Sequence, residues 1–567
     1  MANPLVSDRN VEFLLYELLR MGEGRETYDL VLASARELAR EQLFPAFRPM
    51  DQEPPRLQDG QVRVHPAMRE LWAQMFELGF GEAARHLPRT VALCASHYLM
   101  AANGAAAGYL GLTQGAAHLI EAFGSEFLKS DFMARMWSGE WAGTMALTEP
   151  HAGSSLADVR TKAVPRPDGT YAISGNKVFI SGGDQDVTSN IVHLTLARIE
   201  GAPAGIKGVS LFAIPKKRPD GSDNDCTCAG VFHKMGWRGL PSIALNFGER
   251  GACIGWLVGE PNRGIGYMFQ MMNEARLMVG LNAASTASAA YFEALEYAKA
   301  RPQGRPHGAR DPANAQVSIV EHADVRRMLL RQKAIVEGSL ALLLQCAHYA
   351  DLGDHRSQLL LDTLTPVAKT FPAERGFEAN ALAVQVHGGY GYTSEYLPEA
   401  WLRDQKLNTI HEGTTGIQSL DLLGRKVVAE NGAALMALNE EIEAACARAQ
   451  NAGVEPSWIE GVRKAAQRAG EVTMHLAAKG LSGDREGMLL HSVDYLDLFG
   501  TVAVAWQWLL QAAAAKEGQA RRDEPFYRGK LRAAQHFLST DLPRVHLLAD
   551  LCVDGDDSYA AVKADEL

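Results

Sequence analysis

Residues 170–183 read TYAISGNKVFISGG. The run is short, rich in β-branched and aromatic residues, and bounded by the turn clusters RPDG (166–169) and SGGD (181–184); that pattern predicts a strand. Similar runs follow: NIVHLTLARI (190–199), KGVSLFAIPKK (207–217), SIALNFGER (242–250) and CIGWLVGE (253–260), with PDGSDND (219–225) as a further turn. Several such strands between about Glu140 and Gly259 predict a small β-barrel or sandwich.

Outward from this stretch the period lengthens. On the N-terminal side, RETYDLVLASARELAREQLFPAF (25–47) and PAMRELWAQMFELGF (66–80) carry apolar residues at helical spacing. The small-residue stretch 100–124 suits close helix packing. On the C-terminal side, 264–301 and 321–350 are helical in pattern, and a last helical block follows Asn431-Gly432. The expected class is α+β and mostly helical. Residues 1–139 form an N-terminal helical domain, 140–260 the β domain, 261–431 a helical bundle, and 432–567 an extra C-terminal helical domain without catalytic residues. Strands and helices do not alternate, so a doubly wound fold is excluded. No G-x-G-x-x-G joins a strand to a helix.

A chain of 567 residues is too long for one ordinary core, and two to four packed units are expected. The formal net charge of −11 argues against nucleic acid as the main partner, because phosphate binding needs a basic surface. Seven widely spread cysteines make no disulfide framework and point to a reducing, cytoplasmic setting. Cys226 and Cys228 lack a second pair at zinc spacing, so they read as structural residues and no metal is expected. The opening MANPLVSDRNVEF shows no basic start followed by an apolar core, so no signal peptide is expected. The run TVAVAWQWLLQAAAA (501–515) is interrupted by Gln507 and Gln511 and reads as a buried helix, not a membrane span.

Three segments carry candidate chemistry. MALTEPHAGSSLADVRTKA (145–163) offers the hydroxyls of Thr148, Ser154 and Ser155 beside Gly153, or simply joins a helix to a strand. GGYGYTSEYLPEAWLRDQKLNTIHEGTTGIQ (388–418) follows a long helical pattern, which Gly388 and Gly389 would end as C-caps. The next element is expected to start near Thr409, with Glu412 as either a site carboxylate or a helix N-terminal charge. His411-Glu412 is no zinc motif, since the position of a second histidine holds Thr415. NEARLMVG (273–280) and ALEYAKARPQG (294–304) form the third.

Together, the T-E-P-x-A-G-S run, the G-x-K-x-F-I-S-G-G run (175–183), Q-V-H-G-G-Y-G-Y (385–392) and R-D-x-K with E-G-T (403–414) resemble the acyl-CoA dehydrogenase family. The resemblance covers about Pro45 to Val428. The long chain is most similar to the larger-subunit branch of 3-methylmercaptopropionyl-CoA and bacterial fatty acyl-CoA dehydrogenases. It implies FAD-dependent α,β-dehydrogenation of an acyl-CoA to the trans-2-enoyl-CoA, as in fatty acid β-oxidation. Glu412 is then the general base. Met145, Leu147, Thr148, Ser154, Phe179 and Ser181 are implied to line the flavin. Arg301, Gln303, Gln385, Gly388 and Gly389 are implied to hold its diphosphate and adenosine end across a subunit contact, and Thr414 to touch the cofactor near the base. Ser154, Arg276, His411 and Gly413 are implied at the substrate. A homodimer or dimer of dimers and electron-transfer flavoprotein as acceptor follow from the same resemblance. An oxidase using oxygen and a DNA-associated flavoprotein of the same fold are the alternatives it carries. Two departures stand out: FGEAARHLPRT (80–90) shortens a loop that shapes the tunnel mouth in the family, and Gly416 stands where smaller relatives often carry glutamine.

Overall fold

The computed structural model describes residues 3–306, 308, 311 and 313–567. The chain forms two compact units. One comprises Met1–Leu30, Pro88–His97 and Val279–Leu567; the other comprises Val31–Leu87 and Tyr98–Met278.

The second unit contains the strands. β1 (Arg56–Gln58) and β2 (Gln61–Arg63) form a hairpin in the segment expected to be helical. Its turn is Asp59-Gly60, with both residues at positive φ, the backbone that a two-residue hairpin with right-handed strand twist requires. The other strands are β3 (Trp141–Ala146), β4 (Lys162–Pro165), β5 (Tyr171–Ser181), β6 (Asn190–Ile199), β7 (Val209–Pro215), β8 (Cys226–Val231), β9 (Ser242–Phe247) and β10 (Ile254–Leu257). β4 pairs with β5 and β6, β6 with β7, and β7 with β10. β10 returns to β5 through Ile254 and Gly255, closing a small barrel. β5 is long enough to pair β9 further along, and β8 extends that edge. β3 lies parallel to β6.

Barrel closure buries Ile173, Ile180, Phe212, Ile214, Ile243, Leu245 and Phe247 together. Leu194, Leu196, Leu211 and Ala213 pack instead against Leu119, Ile120, Phe132, Trp137 and Trp141. β6 is therefore covered on both faces, and Asn190 to Ala197 are all buried, the polar His193 and Thr195 included. The small-residue stretch is part of the helix Arg89–Phe123, which breaks at buried Asn103 (φ −158°, ψ 88°). The Asn103 Oδ1 accepts from the Ala106 N–H at 3.0 Å and so caps the helix as it restarts. Beyond the break, Gly108 lies against Leu240 and Trp237, and Gly115 against Met271. The segment 80–90 is tied down by Gln114, whose amide donates to the carbonyls of Phe80 (2.8 Å) and Gly81 (3.1 Å).

The first unit is helical. Ala323–Leu352 and His355–His387 pack along each other and receive the C-terminal helices Ala433–Asn451, Pro456–Leu481, Ser492–Arg521, Pro525–Thr540 and Arg544–Asp554. Left-handed backbone at Glu430, Asn431 and Gly432 turns the chain into that block. Ser492–Arg521 has the length and composition of a membrane span, but 94% of its most apolar window is buried in the fold, as a core helix requires. Trp508 seats on Gly338 and donates to the Ala334 carbonyl at 3.1 Å. Arg331 holds Glu378 through two bonds of 2.7 and 2.9 Å and also pairs with Asp541. Buried Lys530 binds Glu337 and Gln511. Phe13 near the N-terminus packs edge-on against Phe526 at 5.4 Å.

Candidate functional site

In the second unit, β3 delivers the T-E-P run to the barrel edge. Glu149 and Ala152 exchange backbone hydrogen bonds of 3.0 Å, making a tight turn. The Val178 N–H donates to the Thr148 carbonyl at 2.9 Å, so the turn lies beside β5. There β5 bulges between Lys177 and Ile180, and Phe179 takes φ +59°. A bulge re-aims a side chain: the Phe179 ring is 62% exposed and stacks on Phe232 at 4.6 Å. Thr148, Glu149, Pro150, His151, Ala152, Gly153, Val178, Phe179 and Phe232 line a depression of about 530 Å³.

The structure thus brings Thr148 and Phe179 together. Met145 and Leu147 pack partly on the core between β6 and the helices. Ser154 is exposed just past the depression, and Ser181 is half-buried in register with Ser242. Arg276 is buried on the helix Gly264–Ala300, and its Nη1 donates to Asn273 Oδ1 at 3.4 Å.

Two residues absent from the candidate set organise this edge. Lys177 and Glu149 are almost completely buried and paired at 2.8 Å. Burial pushes the Glu149 carboxyl up, but Lys177, the Thr161 hydroxyl and the Arg160 N–H outweigh it and hold it below its ordinary value. The sequence signals were present: the glutamate of T-E-P and the lysine of G-x-K-x-F.

In the first unit, the helix expected to start near Thr409 starts later, at Thr415. Pro398 starts the helix Pro398–Lys406, proline being pre-organised for a first turn. The next helix, Thr415–Asp421, starts after Thr414, whose Oγ1 accepts from the Ile417 N–H at 3.3 Å. Between them, Glu412 (φ +55°) and Gly413 (φ +88°) are left-handed. Buried Gln418 reaches back, donating to the Glu412 carbonyl at 3.0 Å and the Gly413 carbonyl at 3.4 Å. At φ +88° a side chain on residue 413 would be strained, and its Cβ would lie 2.5 Å from Gln418 Nε2, so that position favours glycine. His411 is tied through its N–H to the Leu407 carbonyl at 3.1 Å. His411, Glu412, Gly413 and Thr414 therefore share one pinned, half-buried turn.

A second group in this unit is exposed. Tyr297 stacks on His387 at 4.2 Å, joining the ends of their two helices. Gly388 ends one helix at φ +63°. Arg301 leaves the other, and its guanidinium lies over the Tyr390 ring at 5.8 Å. Gln385, Gly388 and Gly389 are exposed, and a Cβ at either glycine would meet nothing within 4 Å. The Gln303 backbone is fixed by Val317 (2.9 Å) and by His322 Nε2 (2.7 Å). Among the described residues, no cluster suits a metal ion. All seven cysteines are free; Cys226 and Cys228 lie in strand β8.

Comparison with known proteins shows the family. Residues 144–249 match the acyl-CoA dehydrogenase middle domain, 262–427 the acyl-CoA dehydrogenase C-terminal domain, and 438–563 the acetyl-CoA dehydrogenase C-terminal-like domain. The 3-methylmercaptopropionyl-CoA dehydrogenase of Ruegeria pomeroyi is 37% identical over 524 residues, covering 88% of this chain and 87% of that protein. The broad-specificity linear acyl-CoA dehydrogenase FadE5 of Mycobacterium tuberculosis is 32% identical over 581 aligned positions, covering 94% and 95%. The fold matches Caenorhabditis elegans ACDH-11, solved in complex with C11-CoA, with a TM-score of 0.79 over 98% of this chain and 96% of that one at 20% identity. It also matches an acyl-CoA dehydrogenase from Bacillus anthracis complexed with FAD, with a TM-score of 0.76 over 95% and 89% at 19% identity. Identity at this level over nearly the full length of both chains makes this protein a member of the acyl-CoA dehydrogenase family.

Proposed function

We propose that this protein is an FAD-dependent acyl-CoA dehydrogenase whose general base is Glu412. The observation that carries the assignment is the E-G-T turn: a carboxylate held on left-handed backbone, pinned by Gln418, in a chain of this family. The α-proton of a thioester is weakly acidic, so its removal needs a positioned base and a polarised carbonyl. The Glu412 carboxylate accepts that proton, and the Glu412 N–H donates to the thioester oxygen as negative charge develops there. Bound FAD would supply the two-electron acceptor for the hydride on the β-carbon.

The residues fit the cofactor. Arg301 and the bare backbone of Gly388 and Gly389 offer a guanidinium fork and close approach to a diphosphate. Thr148 and the exposed Phe179 ring offer a hydroxyl and an aromatic face to the isoalloxazine. Gln303, Gln385 and Thr414 complete the cofactor contacts, Ser154 stands at the flavin or substrate, and Arg276 supports the CoA end.

The purified protein is expected to be yellow, and the cofactor released on denaturation to co-migrate with FAD. FMN in its place would refute the assignment. An initial-rate panel of linear and thioether acyl-CoAs with an artificial acceptor identifies the preferred acyl group. Turnover restored by electron-transfer flavoprotein and not by air distinguishes a dehydrogenase from an oxidase. Because Arg301 and Gln385 are exposed, we propose that they complete the cofactor site of a neighbouring subunit in a homodimer or dimer of dimers. Light scattering should find no flavin-loaded, active monomer.

A further inference from the structure

The Lys177 ammonium has three N–H bonds and three acceptors: the Leu147 carbonyl at 3.1 Å, the Leu196 carbonyl at 2.8 Å and Glu149 Oε1 at 2.8 Å. Glu149 Oε1 also accepts from the Thr161 N–H (3.0 Å) and Oγ1 (2.6 Å), and Oε2 accepts from the Arg160 N–H (2.7 Å). The knot is closed and buried, with Lys177 0% and Glu149 3% exposed. A buried ion pair is costly unless its remaining hydrogen-bonding capacity is satisfied, and here it is.

Its position matters more than its energy. Lys177 opens the β5 bulge that turns Phe179 outward. Its ammonium grips the residues on both sides of Thr148, while Val178 grips Thr148 itself. One side chain therefore fixes the spacing between the Thr148 turn and Phe179, the two walls of the depression. We propose that Lys177 and Glu149 are a positioning pair that sets the flavin-facing edge of the barrel. Both side chains are buried and bonded to each other, so their role is to position and not to react. The inference rests on the reading that FAD lies against this edge.

The double variant Lys177→Met with Glu149→Gln removes both charges with little change of volume. Purified with FAD and assayed well below its melting temperature, it is expected to bind FAD roughly tenfold more weakly, since small misplacements of positioning groups are costly. The visible circular dichroism of its flavin is expected to change. A purely structural pair would lower the melting temperature and leave both readouts unmoved. Thr161→Val, which removes only the hydroxyl bond to Glu149, should give the same spectral change at smaller amplitude, and it serves if the double variant does not fold. Phe179→Ala is the control. If it weakens FAD binding while the pair and Thr161 variants do not, the positioning role is overturned. If none of them alters FAD binding, the placement of FAD on this edge fails and the proposal fails with it.

Discussion

Glu412→Gln is expected to retain FAD and bind acyl-CoA yet lose substrate-driven flavin bleaching by ~10²-fold or more, the low end of what a general base supplies. The substitution keeps the side-chain length, and the Gln418 bonds to the 412 and 413 carbonyls do not depend on the carboxylate. A loss of bleaching would therefore report proton abstraction, not collapse of the turn. Glu274 is the competing carboxylate, because some members of the family carry the base one residue before the arginine equivalent to Arg276. Here that position is Ala275. Glu274 is about 100° further round the helix and lies 3.5 Å from His118 Nδ1. Glu274→Gln should leave bleaching within a few-fold of wild type. Stopped-flow traces of the two variants decide between them, and exchanged outcomes would move the base to the earlier helix.

The second large effect concerns the C-terminal block. Truncation after residue 431 would strip Trp508 from Gly338 and leave Glu337 and Arg331 without Lys530 and Asp541. The shortened chain is expected to be insoluble; a soluble, dimeric and fully active product would show that the block is dispensable. Arg331→Met removes the shared partner of Glu378 and buried Asp541 and should cost about 3–5 kcal/mol, the usual penalty for leaving a buried charge without its partner, measured by chemical denaturation. Burial raises the Glu378 carboxyl, but Arg331 more than offsets that and holds it below its ordinary 4.5. A carboxylate with a depressed folded value stabilises above its unfolded value, and that contribution is lost as pH falls through the folded one. Wild type should therefore weaken progressively below about pH 4.5, and the variant should weaken less.

The sequence made the barrel legible because its strands bury residues at short period; NIVHLTLARI coincides with β6. It also made the helical blocks legible, through apolar residues at helical spacing. The Asp59-Gly60 hairpin was missed because each of its strands has three residues, too few to show a period. The later start of the helix after Glu412 was missed because its cause lies in the backbone: two successive left-handed residues, one a glutamate. Lys177 and Glu149 stand inside two of the motifs, but nothing in the sequence shows that they are buried and paired. Those two act through each other, at positions 28 residues apart that only the folded barrel brings together.

Phe179 and Glu412 share a conformation that glycine adopts without penalty and other residues adopt at about 1 kcal/mol or more. At both positions the chain keeps a large side chain where a hydrogen would be cheaper. Random mutagenesis screened only for heat resistance should therefore recover glycine at 179 and 412, because it relieves strain at no cost to the core. On the roles proposed above, such clones would survive heating without the base or the flavin-facing ring, so a thermostabilised version of this protein has to be selected on turnover as well as on survival.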